Sequence, residues 1–278
     1  MRIIRYIDEL RKELNAARAK GKSVGMMGTS GALHDGHLSL VRAAVAENDL
    51  PVMFYGGGGS NENMPISYKR DPERDLALCE AAGMQIAYVP SGDFMPRAPA
   101  TVISLPVLFG GDSPGMEDPK HLFQITFAMA KLYNIFGECR MYSGEKDWQQ
   151  LAIFTRLAED LSFPVKVVHC PTIREPDGLA MSSRNVKLTP EQRAKAPLLY
   201  KALQEAVTVI EAGERSLERV KTMVAERIRP AGELDYLVSV DPAELTPKDP
   251  MTGDVALLVS MKVGEIRLVD NIGARAPA

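Results

Sequence analysis

Cysteine is scarce in this 278-residue chain: Cys79, Cys139 and Cys170 are far apart and odd in number. They cannot form a disulfide framework, and no CxxC spacing points to zinc. Three isolated thiols read instead as small core residues in a reducing cytoplasm. No apolar run approaches the roughly 20 residues that cross a bilayer, so no membrane partner is expected. The first ten residues interleave charge with apolar side chains and lack the continuous apolar region of a signal peptide. A basic block is missing too. Lys and Arg total 33 against 36 Asp and Glu, a net charge of −3. Nucleic-acid surfaces are built on clustered cations, so no nucleic-acid partner is expected. Beyond four glycines at 56–59 there is no low-complexity tract, and no repeat.

What remains is ordinary globular usage, 45% apolar and 25% charged, in a chain too long for one small core. Ile3, Ile7, Leu10 and Leu14 recur every three or four residues, which predicts an amphipathic helix from the start of the chain. Short apolar runs predict strands at 23–27, 51–55, 85–89, 101–105, 140–143 and 165–169. Between them, helices are predicted at 34–47, 71–82, 121–136 and 148–161. Strands alternating with helices imply an α/β fold with a parallel sheet and crossover helices. After about residue 173 the pattern changes. Helices at 190–212 and 216–228 precede strands at 234–240, 255–261 and 266–270, an α+β arrangement. The expected division is therefore 1–172 and 173–278.

Three segments carry chemistry. Gly28-Thr29-Ser30-Gly31-Ala32-Leu33-His34-Asp35-Gly36-His37 lies between a predicted strand and a predicted helix. Glycines there let the backbone approach a ligand, and the first helical N–H groups lack internal partners. With the helix dipole they favour a phosphate. His34 and His37 are three apart, so both face one ligand. Two imidazoles beside a polyphosphate can stabilise charge on a departing pyrophosphate. An arbitrary HxxH in a first turn is more often merely solvated. Strand, glycines and helix in this order make it a nucleotidyl-transfer signature. Gly144-Glu145-Lys146-Asp147-Trp148-Gln149-Gln150 also follows a strand and opens a helix. It is expected at the same sheet edge, where open α/β folds bind ligands. Lys146 can hold a phosphate as a point charge, and Asp147 can accept from a ribose hydroxyl. Alone, the segment reads more readily as a first turn whose carboxylates suit the helix dipole. Met181-Ser182-Ser183-Arg184-Asn185 offers two hydroxyls and a guanidinium, an oxyanion clamp or an ordinary turn and cap. The argument comes from all three in one chain, in this order.

Taken together, these segments resemble the pantothenate synthetases, the pantoate–β-alanine ligases of the HxGH nucleotidyltransferase superfamily. The resemblance runs almost end to end. It includes Thr29, 31–37, 144–147, Gln149-Gln150 and the stretch from Arg174-Glu175 to Asn185. It continues in Asp235-Tyr236 and in Val263-Gly264-Glu265-Ile266-Arg267-Leu268-Val269-Asp270-Asn271-Ile272. It implies a Rossmann-like N-terminal domain that binds ATP and acid, a smaller C-terminal α+β lid domain, and a homodimer through the N-terminal domains. It implies a cytoplasmic enzyme of pantothenate biosynthesis, an AMP-forming carboxylate–amine ligase. A small carboxylic acid attacks ATP to give an acyl adenylate and pyrophosphate, and an amine then takes the acyl group. Mg²⁺ is implied as a cofactor held mainly by phosphates, with no protein ligand assigned. The implied ATP site is Ser30, Gly31, Ala32, Leu33, His34, Asp35, Gly36, His37, Gly144, Glu145, Lys146, Asp147, Ile173, Met181, Ser182, Ser183 and Arg184. Within it His37, His34, Lys146 and Arg184 are the implied catalytic groups, His37 as proton donor. Gln150 and Ser30 are the implied acid-binding residues. Asp75 could sit near magnesium, but an acid on a helix is more often solvated.

The departures cluster on the acid side. Ser30 stands where the family carries a methionine. The family's Phe-Val-Asn-Pro-Thr-Gln-Phe loop is replaced by Phe54-Tyr55-Gly56-Gly57-Gly58-Gly59-Ser60, so its substrate-binding glutamine falls on glycine. A His-Phe-Arg-Gly stretch reads His121-Leu122-Phe123-Gln124. Two readings follow: pantoate bound with compensating groups such as Gln124, Ser60 or Asn61, or a relative that adenylates a different small acid. Nucleotidyl transfer without amide formation, and an inactive ATP-binding paralogue, are the further alternatives.

Overall fold

The computed structural model describes residues 1–56, 71–91, 94–95, 101–104 and 119–277, with side chains from residue 123 in the last stretch. Two compact units emerge. One comprises the described residues of Met1–Ile103, Phe123–Glu145 and Ile153–Pro171; the other comprises Lys146–Ala152 and the described residues of Ser104–Leu122 and Thr172–Ala278.

In the first unit strands and helices alternate: β1 (Arg2–Ile4), α1 (Ile7–Arg18), β2 (Val24–Thr29), α2 (Asp35–Glu47), β3 (Leu50–Tyr55), α3 (Pro72–Ala81), β4 (Ile86–Tyr88), α4 (Pro119–Phe136), β5 (Cys139–Gly144), α5 (Trp148–Asp160) and β6 (Val165–Cys170). The first residues of α4 and of α5 are counted with the second unit. The strands form one parallel sheet in the order β1-β4-β3-β2-β5-β6. Their apolar runs follow from that topology, because crossover helices cover the faces of a parallel sheet. On one face Val41 and Ala44 of α2 and Cys79 of α3 join Met27, Met53 and Tyr55 in a buried cluster. Asp71 caps α3, accepting the Arg74 N–H, and Pro72 fits the first turn because its missing N–H would have no partner there anyway.

Two local expectations need correction. The opening residues are a strand, not the first turn of a helix. Ile4 is fully buried whereas Ile3 is 46% exposed, the period-two alternation of a strand, and α1 starts only at Ile7. Residues 101–104 are not a strand; the Ile103 carbonyl accepts from the Thr126 hydroxyl of α4 at 3.0 Å instead. Leu105 lies outside the described residues.

The thiols of Cys79, Cys139 and Cys170 are buried and free. Burial raises Cys79 and Cys139 to about 12 and Cys170 to about 11. The thiolate is the reacting species. Native protein at pH 8 should therefore leave an aromatic disulfide reagent untouched, and denaturant should release all three thiols. Rapid reaction of the native protein would contradict this burial.

The second unit contains α6 (Pro190–Lys195), α7 (Leu198–Glu211), α8 (Leu217–Ile228), β7 (Glu233–Val240), β8 (Gly253–Val263) and β9 (Ile266–Ala276). The helix expected over 190–212 is two helices, split around Pro197, which has no N–H to continue the ladder. Thr189 and Gln192 form a capping box that starts the first. The strands form an antiparallel sheet in the order β7-β8-β9. Leu203 and Ile210 of α7, Val224 of α8 and Leu257, Val259 and Met261 of β8 share its core. β9 runs to Ala276, well past the expected 270. Asp270 and Asn271 lie buried within it and interrupt the apolar pattern that sequence reading follows. Among the described residues no helix is long and apolar enough to cross a membrane.

Candidate active site

The sheet order places the first cluster. From β2 the chain proceeds through β3 to β4 on one side, and from β5 to β6 on the other. β2 and β5 are direct neighbours, with Met27 opposite Tyr142. This reversal is a topological switch point, where open α/β sheets bind ligands beyond the strand ends. The turn after Thr29 and the turn after Gly144 leave that same edge.

The turn after Thr29 is held in a constrained shape. Gly31 adopts φ 103° and Ala32 φ 54°, the left-handed region that costs a non-glycine residue about 1–2 kcal/mol. A methyl group on Gly31 would lie 2.6 Å from the Tyr55 hydroxyl, so glycine is required for space as well as for φ. Asp75 of α3 organises the turn. Its Oδ2 accepts the Ala32 N–H at 2.7 Å and the Tyr55 hydroxyl at 3.1 Å. Its Oδ1 accepts the Leu33 N–H at 2.9 Å. Arg74 donates to the Leu33 carbonyl at 3.2 Å, and Thr29 Oγ1 accepts the Gly31 N–H. Asp75 is fully buried, not the solvated acid weighed from sequence. The hint lay in its spacing: it stands four residues before buried Cys79 on one face of α3.

The turn delivers His34 to the N-cap of α2 and His37 to its first turn. Their ring centroids are 4.1 Å apart at 47°, so the spacing does bring the imidazoles together. His37 Nδ1 accepts the His34 backbone N–H at 3.4 Å, which puts the proton of the neutral ring on Nε2. Ser30 and Gly36 are half-buried and Asp35 is exposed. Helix N–H groups, the dipole and an Nε2–H donor suit an anion.

Gly144 and Glu145 end the first unit's β5 edge, and the second unit holds the other expected residues from Lys146 on. Glu145–Asp147 forms a 3₁₀ turn. Lys146 Nζ lies 3.3 Å from Asp147 Oδ1, and its side chain is only 18% exposed. Asn271 Nδ2 donates to the Lys146 carbonyl at 2.8 Å, and the Trp148 indole donates to the Pro242 carbonyl at 3.0 Å. Gln149 is buried and Gln150 half-buried. Residues 173–181 form a small hairpin: Met181 N–H donates to the Ile173 carbonyl, Glu175 N–H to that of Leu179, and Arg174 bridges Ala180. Gly178 turns it with φ 96°. Ile173 and Met181, eight positions apart, are thus paired. Arg193 hydrogen-bonds Asp177 in this turn and holds its carboxyl below the usual range. Ser182 Oγ accepts the Arg184 N–H at 3.2 Å, and the half-buried Ser183 precedes an exposed Arg184. The N–H groups at the start of α2 suit phosphate oxygens, and Lys146 and Arg184 in the second unit separately offer cations. Among the described residues no three His, Cys, Asp or Glu side chains gather to hold a metal ion.

Sequence reading missed Tyr55, Asp75, Asp270 and Asn271 as organisers of these clusters. The glycine loop lies outside the described residues from residue 57, as do Ser60, Asn61 and the side chains of His121 and Leu122. Phe123 is half-buried and Gln124 exposed on α4.

Known proteins resemble the chain along its whole length. The sequence profile of the pantoate-beta-alanine ligase family matches residues 2–273. Pantothenate synthetase 1 of Frankia alni is 44% identical over 282 residues, covering 97% of each chain. A crystal structure of the Thermus thermophilus pantothenate synthetase superposes with a TM-score of 0.83 at 36% identity, covering 98% of this chain and 99% of that one. The pantoate-beta-alanine ligase of Francisella tularensis, solved with beta-gamma ATP and beta-alanine, gives 0.76 at 25% identity over 98% and 97%.

Proposed function

The chain belongs to the pantoate-beta-alanine ligase family, and from that premise we propose that it joins pantoate to β-alanine at the expense of ATP, releasing AMP and pyrophosphate. The observation that carries the reading is the imidazole pair at the N-terminus of α2, beside the switch point of the parallel sheet. A pantoate carboxylate oxygen attacks the α-phosphorus, forming one P–O bond as the bond to the bridging oxygen breaks. Negative charge gathers on the departing pyrophosphate. His34, His37 and the first N–H groups of α2 are suited to meet it, as are Lys146, Ser182, Ser183 and Arg184. His37 Nε2 carries the proton that this charge attracts. The neutral amine of β-alanine then attacks the acyl carbon, AMP leaves with the electron pair, and the ammonium loses its proton to water.

Several finer assignments belong to the same proposal. Ser30 to His37, Gly144 to Asp147, Ile173 and Met181 to Arg184 line the ATP site. Gln150 and Ser30 contact the acid. Magnesium, held mainly by the phosphates, screens their charge. Residues 1–172 act as the nucleotide- and acid-binding domain and 173–278 as the lid. The enzyme is a cytoplasmic homodimer through the N-terminal domains. A different acid, bare nucleotidyl transfer and inactive ATP binding are not favoured, since the relatives matched along nearly the full chain are pantothenate synthetases.

Incubation with Mg-ATP, pantoate and β-alanine should yield pyrophosphate, AMP and the amide in equal amounts. Pyrophosphate without AMP, with nucleotide left on the product, would indicate transfer. No pyrophosphate above background would overturn the ligase reading.

A further inference from the structure

We propose that Asn271 is a positioning residue for Lys146: its side-chain amide fixes the main chain that aims the ammonium. The claim rests on the ligase reading above. Lys146 sits in a three-residue 3₁₀ turn, a form with poor internal hydrogen bonds, so its aim must be set from outside. Two anchors do this within the second unit. Asn271 Nδ2 donates to the Lys146 carbonyl at 2.8 Å, and the Trp148 indole donates to the Pro242 carbonyl. They pin the chain on both sides of Asp147.

Asn271 is itself held. Its backbone N–H donates to Asp270 Oδ1 at 2.8 Å. Arg174 grips Asp270 with two bonds, 2.6 Å to Oδ2 and 2.9 Å to Oδ1, the bidentate geometry that fixes orientation. The same guanidinium lies 3.6 Å over the Tyr200 ring and donates to the Gly178 carbonyl. Arg174 belongs to the 173–181 hairpin, so one buried pair on β9 secures both the lysine turn and the hairpin bearing Ile173 and Met181. Burying two polar side chains in mid-strand is costly unless each is bonded. A strand that only had to pack would carry apolar residues there. The Asn271 amide instead reaches a carbonyl 125 positions away in sequence.

Two variants test the role. Asn271→Asp is nearly isosteric but has no donor when ionised. Its new carboxyl would be buried against the Lys146 carbonyl oxygen, with Arg174 committed to Asp270 and Lys146 beside Asp147. It should therefore keep its proton to higher pH than an ordinary carboxyl, and as an acid it can donate to the Lys146 carbonyl. The expected result is a loss in kcat of about 10- to 100-fold, the scale of a small misplacement, with weaker ATP binding by calorimetry. The ratio of variant to wild-type activity should climb as pH falls. Asn271→Ala should show the loss without that climb. Trp148, the one tryptophan in the chain, should become more open to acrylamide quenching in both.

Variants that melt like wild type and bind ATP and turn over normally would overturn the proposal. So would equal losses in both at every pH. Should Asn271→Asp not fold, Asn271→Ala decides alone: lost ATP affinity with increased Trp148 quenching supports the role, and unchanged quenching overturns it. A wild-type protein that released no pyrophosphate from pantoate would sink the ligase reading instead. ATP affinity and quenching need no acid substrate, so they would still judge Asn271.

Discussion

His37→Ala is expected to slow pantoate-dependent pyrophosphate release by about 10²–10³-fold, the loss that follows removal of one preorganised donor from a developing oxyanion. The drop should fall on kcat more than on the KM for ATP, because the contact strengthens as the bridging P–O bond breaks. Geometry sharpens the test. His37 Nδ1 is occupied by the His34 N–H, so Nε2 is the nitrogen that donates outward. A glutamine amide nitrogen reaches about the Nε2 position, and an asparagine nitrogen reaches about that of Nδ1. His37→Gln should therefore retain more activity than His37→Asn. Single-turnover pyrophosphate release measures all three. An alanine enzyme as fast as wild type would remove the imidazole from the proposed mechanism, and asparagine outperforming glutamine would reverse the assignment of the two nitrogens. Lys146→Ala acts on the same charge and belongs to the same order of loss.

The parallel sheet was legible because buried strands read as short apolar runs and the helices between them as period-3.6 patterns. The HxGH turn was legible because strand, glycine and imidazole stand next to one another in the chain. The missing parts share a physical cause: each depends on a partner far away in sequence. Ile3 fits a helical spacing with Ile7, yet pairing with β4 turned that stretch into an edge strand. Pro197 is the local exception, splitting a helix that apolar periodicity alone carries through. Asp75 and Asn271 each spend their polar atoms on main chain 43 and 125 positions away. Local propensity cannot see such bonds, and a buried carboxylate looks on paper like a solvated one.

Asp75 therefore carries the second large prediction. Asp75→Ala leaves three donors, the Ala32 and Leu33 N–H groups and the Tyr55 hydroxyl, without their acceptor. Breaking a buried charged network of this kind costs on the order of 3–5 kcal/mol, a large share of the roughly 5–15 kcal/mol that holds a domain together. Melting should fall by about 10 °C. Asp75→Asn is gentler and more informative. The two backbone amides bond different oxygens, so whichever way the new amide turns, its NH₂ confronts one N–H. That costs about 1–3 kcal/mol for one unmet donor. It also removes part of what holds Ala32 at its left-handed φ, and the turn can relax and carry His34 and His37 with it. A shift near 1 Å is enough for about a 10²-fold loss of rate. Tyr55→Phe is the control, since it removes the hydroxyl bond to Asp75, worth about 0.5–1.5 kcal/mol, but spares both amides, and its activity should stay near wild type. Pyrophosphate release alongside thermal melts would separate these cases. If Asp75→Asn melted lower yet turned over pantoate at the wild-type rate, the carboxylate would be holding the fold without aiming the histidines.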